Sequence, residues 1–169
     1  EAVKKLSQDV GIPADLKAIV KPEDVDFLTQ SAMDDACAWV NERQQFGKGI
    51  KTFQLVQEHI VEMQIELTNT RNFLYRTCWK MDNGIPVNND AAMLKRYGAP
   101  ALTDCCSRAL QLMGGLGFTD ETRVSRLMLD CRGFQIGGGT VEIMVHISGR
   151  GILKEYAKAA EDPDYLWTI

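Results

Sequence analysis

From Glu23 onward the apolar residues return every three or four positions and almost nowhere every second one. That period belongs to the α-helix, where residues so spaced share one face, and it leaves little room for strands. Phe27, Leu28, Ala32, Ala36, Trp39 and Val40 predict an amphipathic helix from residue 23 to about Phe46, with Gly47 as its stop. Pro22 followed by Glu23 and Asp24 suits its start, since acidic side chains favour the positive end of the peptide dipoles. Phe53, Val56, Ile60, Met63, Leu67, Leu74 and Trp79 give a second stripe over about 52–81, and "DNGIPVNND" reads as the turn after it. Asp90 is placed to cap a third helix through Leu112, which "MGGLGFTDET" closes. A short helix over 123–130 leads into three glycines, and a last helix runs from about 140 to 160. The expected fold is all-α: a four-helix up-down bundle over 23–160 with short connections. A helical appendage over 1–22, broken by Gly11, Pro13 and Pro22, precedes it, and a tail over 161–169 follows.

At 169 residues, with 45% apolar and 25% charged side chains, the chain has the content of one ordinary globular domain. A net charge of −4 offers no broad attraction to nucleic acid or anionic lipid, so neither is expected as a partner. No run approaches a membrane span, and "EAVKKLSQDV" lacks the layout of a signal peptide, so a cytoplasmic protein is expected. The five cysteines, an odd number without a CxxC pair, stand apart from His59 and His146. They predict reduced thiols, with neither a disulfide framework nor a metal site. Met63, Met113, Met128 and Met144 fall in or near the apolar stripes and read as core fillers.

Several separated motifs agree on a family. "NERQQFGKGI", then "FQLVQ", then "RALQLMGGLGFTDETRVSRLMLDCRGFQIGGGTVEIMVHISGRGIL" resemble the C-terminal helical domain of the acyl-CoA dehydrogenases, over about residues 31–158. The resemblance implies FAD-dependent α,β-dehydrogenation of acyl-CoA thioesters, an oxidoreductase activity of fatty acid metabolism. It also implies a homo-oligomer or a partner chain, with this domain reaching the FAD of a neighbouring subunit. The positions matching the family's flavin-contacting motifs are Arg43, Phe46, Gln54, Gln111, Gly114, Gly115, Thr140 and Glu142. Their chemistry suits the role. A guanidinium pairs with pyrophosphate in a fork, bare glycine backbone admits a cofactor, and Thr140 stands where a helix N-terminus favours an anion.

The resemblance also raises a difficulty. Many members carry the proton-abstracting glutamate at the position occupied here by Gly138, and removing the α-proton of a thioester needs such a base. Glu142, whose match is to a cofactor contact, is a poor substitute. Other members place the base upstream of the "RxxFG" motif, and counting back from Arg43 lands near Lys17, with Asp15 and Glu23 the nearby acids. Pro13 and Pro22 prevent the first helix from reaching there unbroken. No catalytic residue is therefore assigned. The family's other two domains are also missing from these residues, so dehydrogenation by the chain alone is not expected.

Residues 2–37, with "VGIP" and "VKPEDV" before "DAC", resemble the C-terminal helical part of iron-containing, NAD-dependent alcohol dehydrogenases. The two resemblances overlap in "SAMDDAC", which suggests a fusion, natural or designed, joined within the first helix. The alternative function is then a non-catalytic, self-associating helical bundle. Helices cut from a larger assembly expose apolar faces that drive such association. The final "DPDYLWTI" reads as a tethered tail.

Overall fold

The computed structural model describes residues 22–161, so the appendage over 1–21 and the tail from 162 lie outside the described residues. The chain is all-α, as the periodicity requires. Its helices are α1 (Pro22–Glu42), α2 (Gln54–Asp82), α3 (Asn88–Met113), the single turn α4 (Gly115–Phe118), α5 (Val124–Gly133) and α6 (Val141–Glu161).

Helix α3 is the hub, packing against α1, α2, α5 and α6. Its sequence explains why. Gly98, Ala99, Ala101, Cys105, Cys106 and Ala109 are all buried and all small, so neighbouring helices approach closely. A Cβ on Gly98 would sit 3.2 Å from Cγ2 of Thr70 on α2. Into this seam α1 sends Ala32, Met33, Ala36 and Val40, α2 sends Met63 and Leu67, and α5 sends Val124, Leu127 and Cys131. Burying a side chain such as Leu67 stabilises the fold by about 1.5–3 kcal/mol. Met63 and Met113 are core fillers as expected, whereas Met128 packs at its edge and Met144 is half-buried. All five cysteines are free thiols.

Helix α6 docks on α3. A Cβ at Gly151 would fall 1.9 Å from Oδ1 of Asn89, whose Nδ2 donates to Glu155 at 2.9 Å, so the glycine makes room for this crossing. The rest of α6 shows Ile143, Val145, Ile147, Leu153 and Tyr156 to solvent, and α2 shows Leu55, Val61, Ile65, Tyr75 and Trp79. No helix among the described residues is long and apolar enough to cross a membrane.

Two local readings needed correction. Helix α1 stops at Glu42, short of Phe46, because the chain turns into a small antiparallel hairpin of β1 (Gln44–Gln45) and β2 (Lys48–Gly49). The two residues between them, Phe46 at φ 53° and Gly47 at φ 78°, both take the left-handed conformation that a two-residue hairpin turn demands. Two-residue strands are too short to leave an alternating pattern. Asp90 is not the cap of α3 either: Val87 holds that position, and Asp90 is buried within the first turn against Lys80 and Arg76. The third helix runs on through Pro100, which removes one helical hydrogen bond without ending it.

Candidate functional site

The hairpin and the end of α3 build the first site. The Arg43 N–H donates to the Trp39 carbonyl at 2.8 Å, extending the last turn of α1, and the Arg43 carbonyl accepts from Ile50 N–H at 2.9 Å. The guanidinium lies 5.6 Å from the centre of the Trp39 ring, a cation–π distance that orients it while leaving it exposed. Opposite, Gly114 closes α3 with φ 61°, its N–H donating to the carbonyls of Leu110 and Gln111. Trp39, Arg43, Gln45 and Ile50 face Leu112, Met113, Gly114, Gly115 and Leu116 across an open cleft of about 410 Å³. A Cβ on Gly114 or Gly115 would meet nothing within 4 Å, so this wall is bare backbone with free space before it.

Beside the cleft stands Phe46, 91% exposed. Its ring meets Phe53 edge-on at 6.3 Å, and Lys48 Nζ sits 4.4 Å from the centre of the Phe53 ring. A bulky residue at positive φ with its ring in solvent is strained, a state that persists where the surroundings fix it. Gln54 opens α2 directly after Phe53, and Gln111 lies in the last turn of α3; both are exposed.

The second site is the turn into α6. Gly137 N–H donates to Gly133 O at 2.8 Å, Val141 N–H to Gln135 O at 3.1 Å, and between them Gly138 and Gly139 take φ 64° and 90°. Thr140 caps α6, its Oγ1 accepting from Ile143 N–H at 3.4 Å. The exposed Glu142 carboxyl is held below the usual carboxylate range by its own backbone N–H and the Thr140 hydroxyl, with Arg96 and Arg132 adding to the effect. Behind this turn, Lys95 of α3 donates to the carbonyls of Gly137 and Gly138. Its stem lines an apolar cavity of about 300 Å³ shared with Thr70, Leu74, Leu94, Gly98, Leu102 and Phe134.

Arg43, Gly114 and Gly115 therefore share one cleft, with Phe46 beside it, while Thr140 and Glu142 belong to a separate corner. Lys95 escaped the sequence reading because its neighbours in the chain resemble any helix face and its partners lie more than forty residues away. Asp15 and Lys17 lie outside the described residues, as does the side chain of Glu23.

The family described as "Acyl-CoA dehydrogenase, C-terminal domain" matches residues 27–153. The chain is 42% identical over 129 residues to "Probable acyl-CoA dehydrogenase YdiO" of Escherichia coli (strain K12), a match covering 76% of this chain and 34% of that protein. It thus spans about a third of the length of that relative. Among solved structures it is similar to butyryl-CoA dehydrogenase from Megasphaera elsdenii, with a TM-score of 0.74 and 30% identity over 76% of this chain and 34% of the other. It is also similar to PigA in its FAD complex, with a TM-score of 0.73 and 30% identity over 76% and 33% of the two chains. Residues 31–37, where the two resemblances overlap, fall inside the dehydrogenase match, as do residues 27–30, and a fusion to an alcohol dehydrogenase segment finds no support in these matches.

Proposed function

The chain belongs to the acyl-CoA dehydrogenase family, through its C-terminal domain, and on that premise we propose that it is the FAD-contacting helical part of an acyl-CoA-oxidising flavoprotein. The single observation that carries this reading is the cleft in which the Arg43 guanidinium faces the bare backbone of Gly114 and Gly115.

The residues suit the cofactor. The cation–π contact with Trp39 holds Arg43 ready for a pyrophosphate, and a planar guanidinium can grip two of its oxygens at once. Open space before Gly114 and Gly115 admits a group that any side chain there would meet first. Phe46, projected by its strained turn, offers an aromatic face, and the exposed Gln54 and Gln111 are further amides available to a cofactor. Thr140 and the start of α6 form a second anion-favouring corner. Bound FAD would supply the hydride acceptor for α,β-dehydrogenation of an acyl-CoA thioester. The separation of the two corners fits a domain that contacts cofactor in more than one subunit of an oligomer. The apolar residues exposed on α2 and α6 are surfaces for that assembly.

No acid stands at residue 138, and Glu142, held as a carboxylate, is a weak proton acceptor. Catalysis is accordingly not assigned to these 169 residues by themselves. The second reading, a non-catalytic self-associating bundle, draws on the same exposed apolar faces. One experiment separates the two. Purified protein that retains a flavin absorbance band through gel filtration, and loses it on Arg43→Ala with helical content intact, supports the flavoprotein reading. A colourless oligomer that ignores added FAD and acyl-CoA supports the other.

A further inference from the structure

We infer that Lys95 is the positioning residue of the loop 137–139, and that its ammonium closes the Gly138 position to a general-base carboxylate. This deepens the dehydrogenase reading and rests on it only for the importance of position 138.

Three consecutive glycines lose more backbone freedom on folding than any other triplet and have no side chains with which to anchor themselves. Backbone bonds hold this loop at its entrance, Gly137 N–H to Gly133 O, and at its exit, Val141 N–H to Gln135 O. Between these ties the carbonyls of Gly137 and Gly138 are both met by one ammonium, that of Lys95, at 3.0 Å from the second. Hydrogen bonds from a charged donor are about twice as strong as neutral ones, so this contact is the loop's strongest tie. The Lys95 stem runs along the apolar cavity beside Leu94 and Phe134, which keeps the ammonium aimed at the loop.

The same arrangement decides what position 138 can hold. A Cβ there would lie 3.3 Å from Lys95 Nζ, and φ at this residue is +64°, where L side chains are strained. A carboxylate grown from that Cβ would pair with the ammonium, and a neighbouring cation lowers the proton affinity of an acid. It would also compete with the two carbonyls for the clamp. The loop is built around a cation, with no place for an acid poised to accept a proton.

Hydrogen exchange followed by mass spectrometry on the 169-residue chain tests the clamp. Lys95→Met should speed exchange across 134–144 at least tenfold while peptides from α1 stay unchanged, and Lys95→Arg should restore most of the protection. Unchanged loop exchange in a folded Lys95→Met protein overturns the inference. Should that variant lose its helical circular dichroism, acylation of the wild-type lysines decides the matter. Lys95 is expected to react at least fivefold more slowly than the exposed Lys154 and Lys158, and equal rates overturn the clamp. For position 138, the carboxyl introduced by Gly138→Glu should titrate at lower pH with Lys95 present than in the Lys95→Met background. Identical midpoints overturn the second half of the inference. None of these readouts uses flavin or acyl-CoA, so failure of the clamp and failure of the cofactor reading are distinguishable.

Discussion

Lys80 Nζ lies 3.0 Å from both carboxylate oxygens of Asp90, a chelating ion pair that ties the end of α2 to the first turn of α3 across the connecting turn. The Asp90 side chain is only 8% exposed and that of Lys80 16%, while Arg76 reaches the same carboxylate at 3.2 Å from a more open position. Truncating one member of such a pair leaves the other partly buried and unpaired. Asp90→Ala is expected to lower stability by about 2–3 kcal/mol, and Asp90→Asn by less, in urea unfolding. A change within experimental error for Asp90→Ala would mean that the pair is dispensable.

Two glycines two residues apart should behave oppositely. A Cβ on Gly117 would come 2.8 Å from the Leu110 carbonyl oxygen and 2.9 Å from Met113 Cβ, both fixed atoms of the α3 end, whereas one on Gly115 meets nothing within 4 Å. Gly117→Ala is expected to cost about 1–3 kcal/mol by overpacking. Gly115→Ala should leave the unfolding midpoint nearly unchanged, yet weaken FAD binding if the cleft holds the cofactor. Thermal unfolding with a flavin titration on each variant checks both halves.

Phe46 offers the reverse trade. Asparagine tolerates the left-handed conformation that Phe46 adopts at φ 53°, and the Phe46 ring is nearly free in solvent. Phe46→Asn should therefore stabilise the protein, by about 1 kcal/mol, through relief of backbone strain. If the ring is a cofactor contact, the same variant should bind FAD more weakly, which is the usual exchange of stability for function. Loss of stability without effect on flavin would show that the aromatic serves the hairpin alone.

How much of this was readable beforehand follows from the range of the interactions. Helical periodicity is a local signal, so every major helix and the buried stripe through Ala32, Ala36, Met63 and Leu67 were legible. The cleft was legible only as spaced motifs, because Arg43 and Gly114 meet through the packing of α1 on α3. Two features left no local trace. The hairpin at Phe46 is too brief to alternate, and Asp90, a good cap by residue type, was drawn inward by cations on the preceding helix. Lys95 is the extreme case, since its role depends on a loop 42 residues later in the chain.

The cysteines should divide by burial. Cys105, Cys106 and Cys131 are fully buried, and burial, aided by the charge of Asp104, pushes the Cys105 thiol up to about 12. Burial and then the charge of Asp34 also push up the half-buried Cys37. Since the thiolate is the reactive form, a disulfide reagent at pH 8 should label Cys78 first, then Cys37, and spare the other three until the chain unfolds. Fast native labelling of Cys105 would show that α2 and α3 separate far more readily than their packing implies.

The last prediction concerns Glu142, the one acid close to the glycine loop in sequence. Its carboxyl is depressed because its own backbone N–H, the Thr140 hydroxyl and the cations Arg96 and Arg132 favour the charged form. A depressed carboxyl binds its proton more weakly in the folded chain than in the unfolded one. Its contribution to stability is thus fully present above the ordinary glutamate range and is lost as pH falls through the lowered folded value. Carboxyl NMR should find Glu142 titrating below a typical glutamate, and Thr140→Val should move it upward. The direction matters for chemistry as well as stability. A base for a weakly acidic carbon must hold a proton near neutral pH, and the hydrogen bonds and cations around Glu142 act against that. A midpoint raised toward 6 or above would reverse this and make Glu142 the first candidate for the missing base.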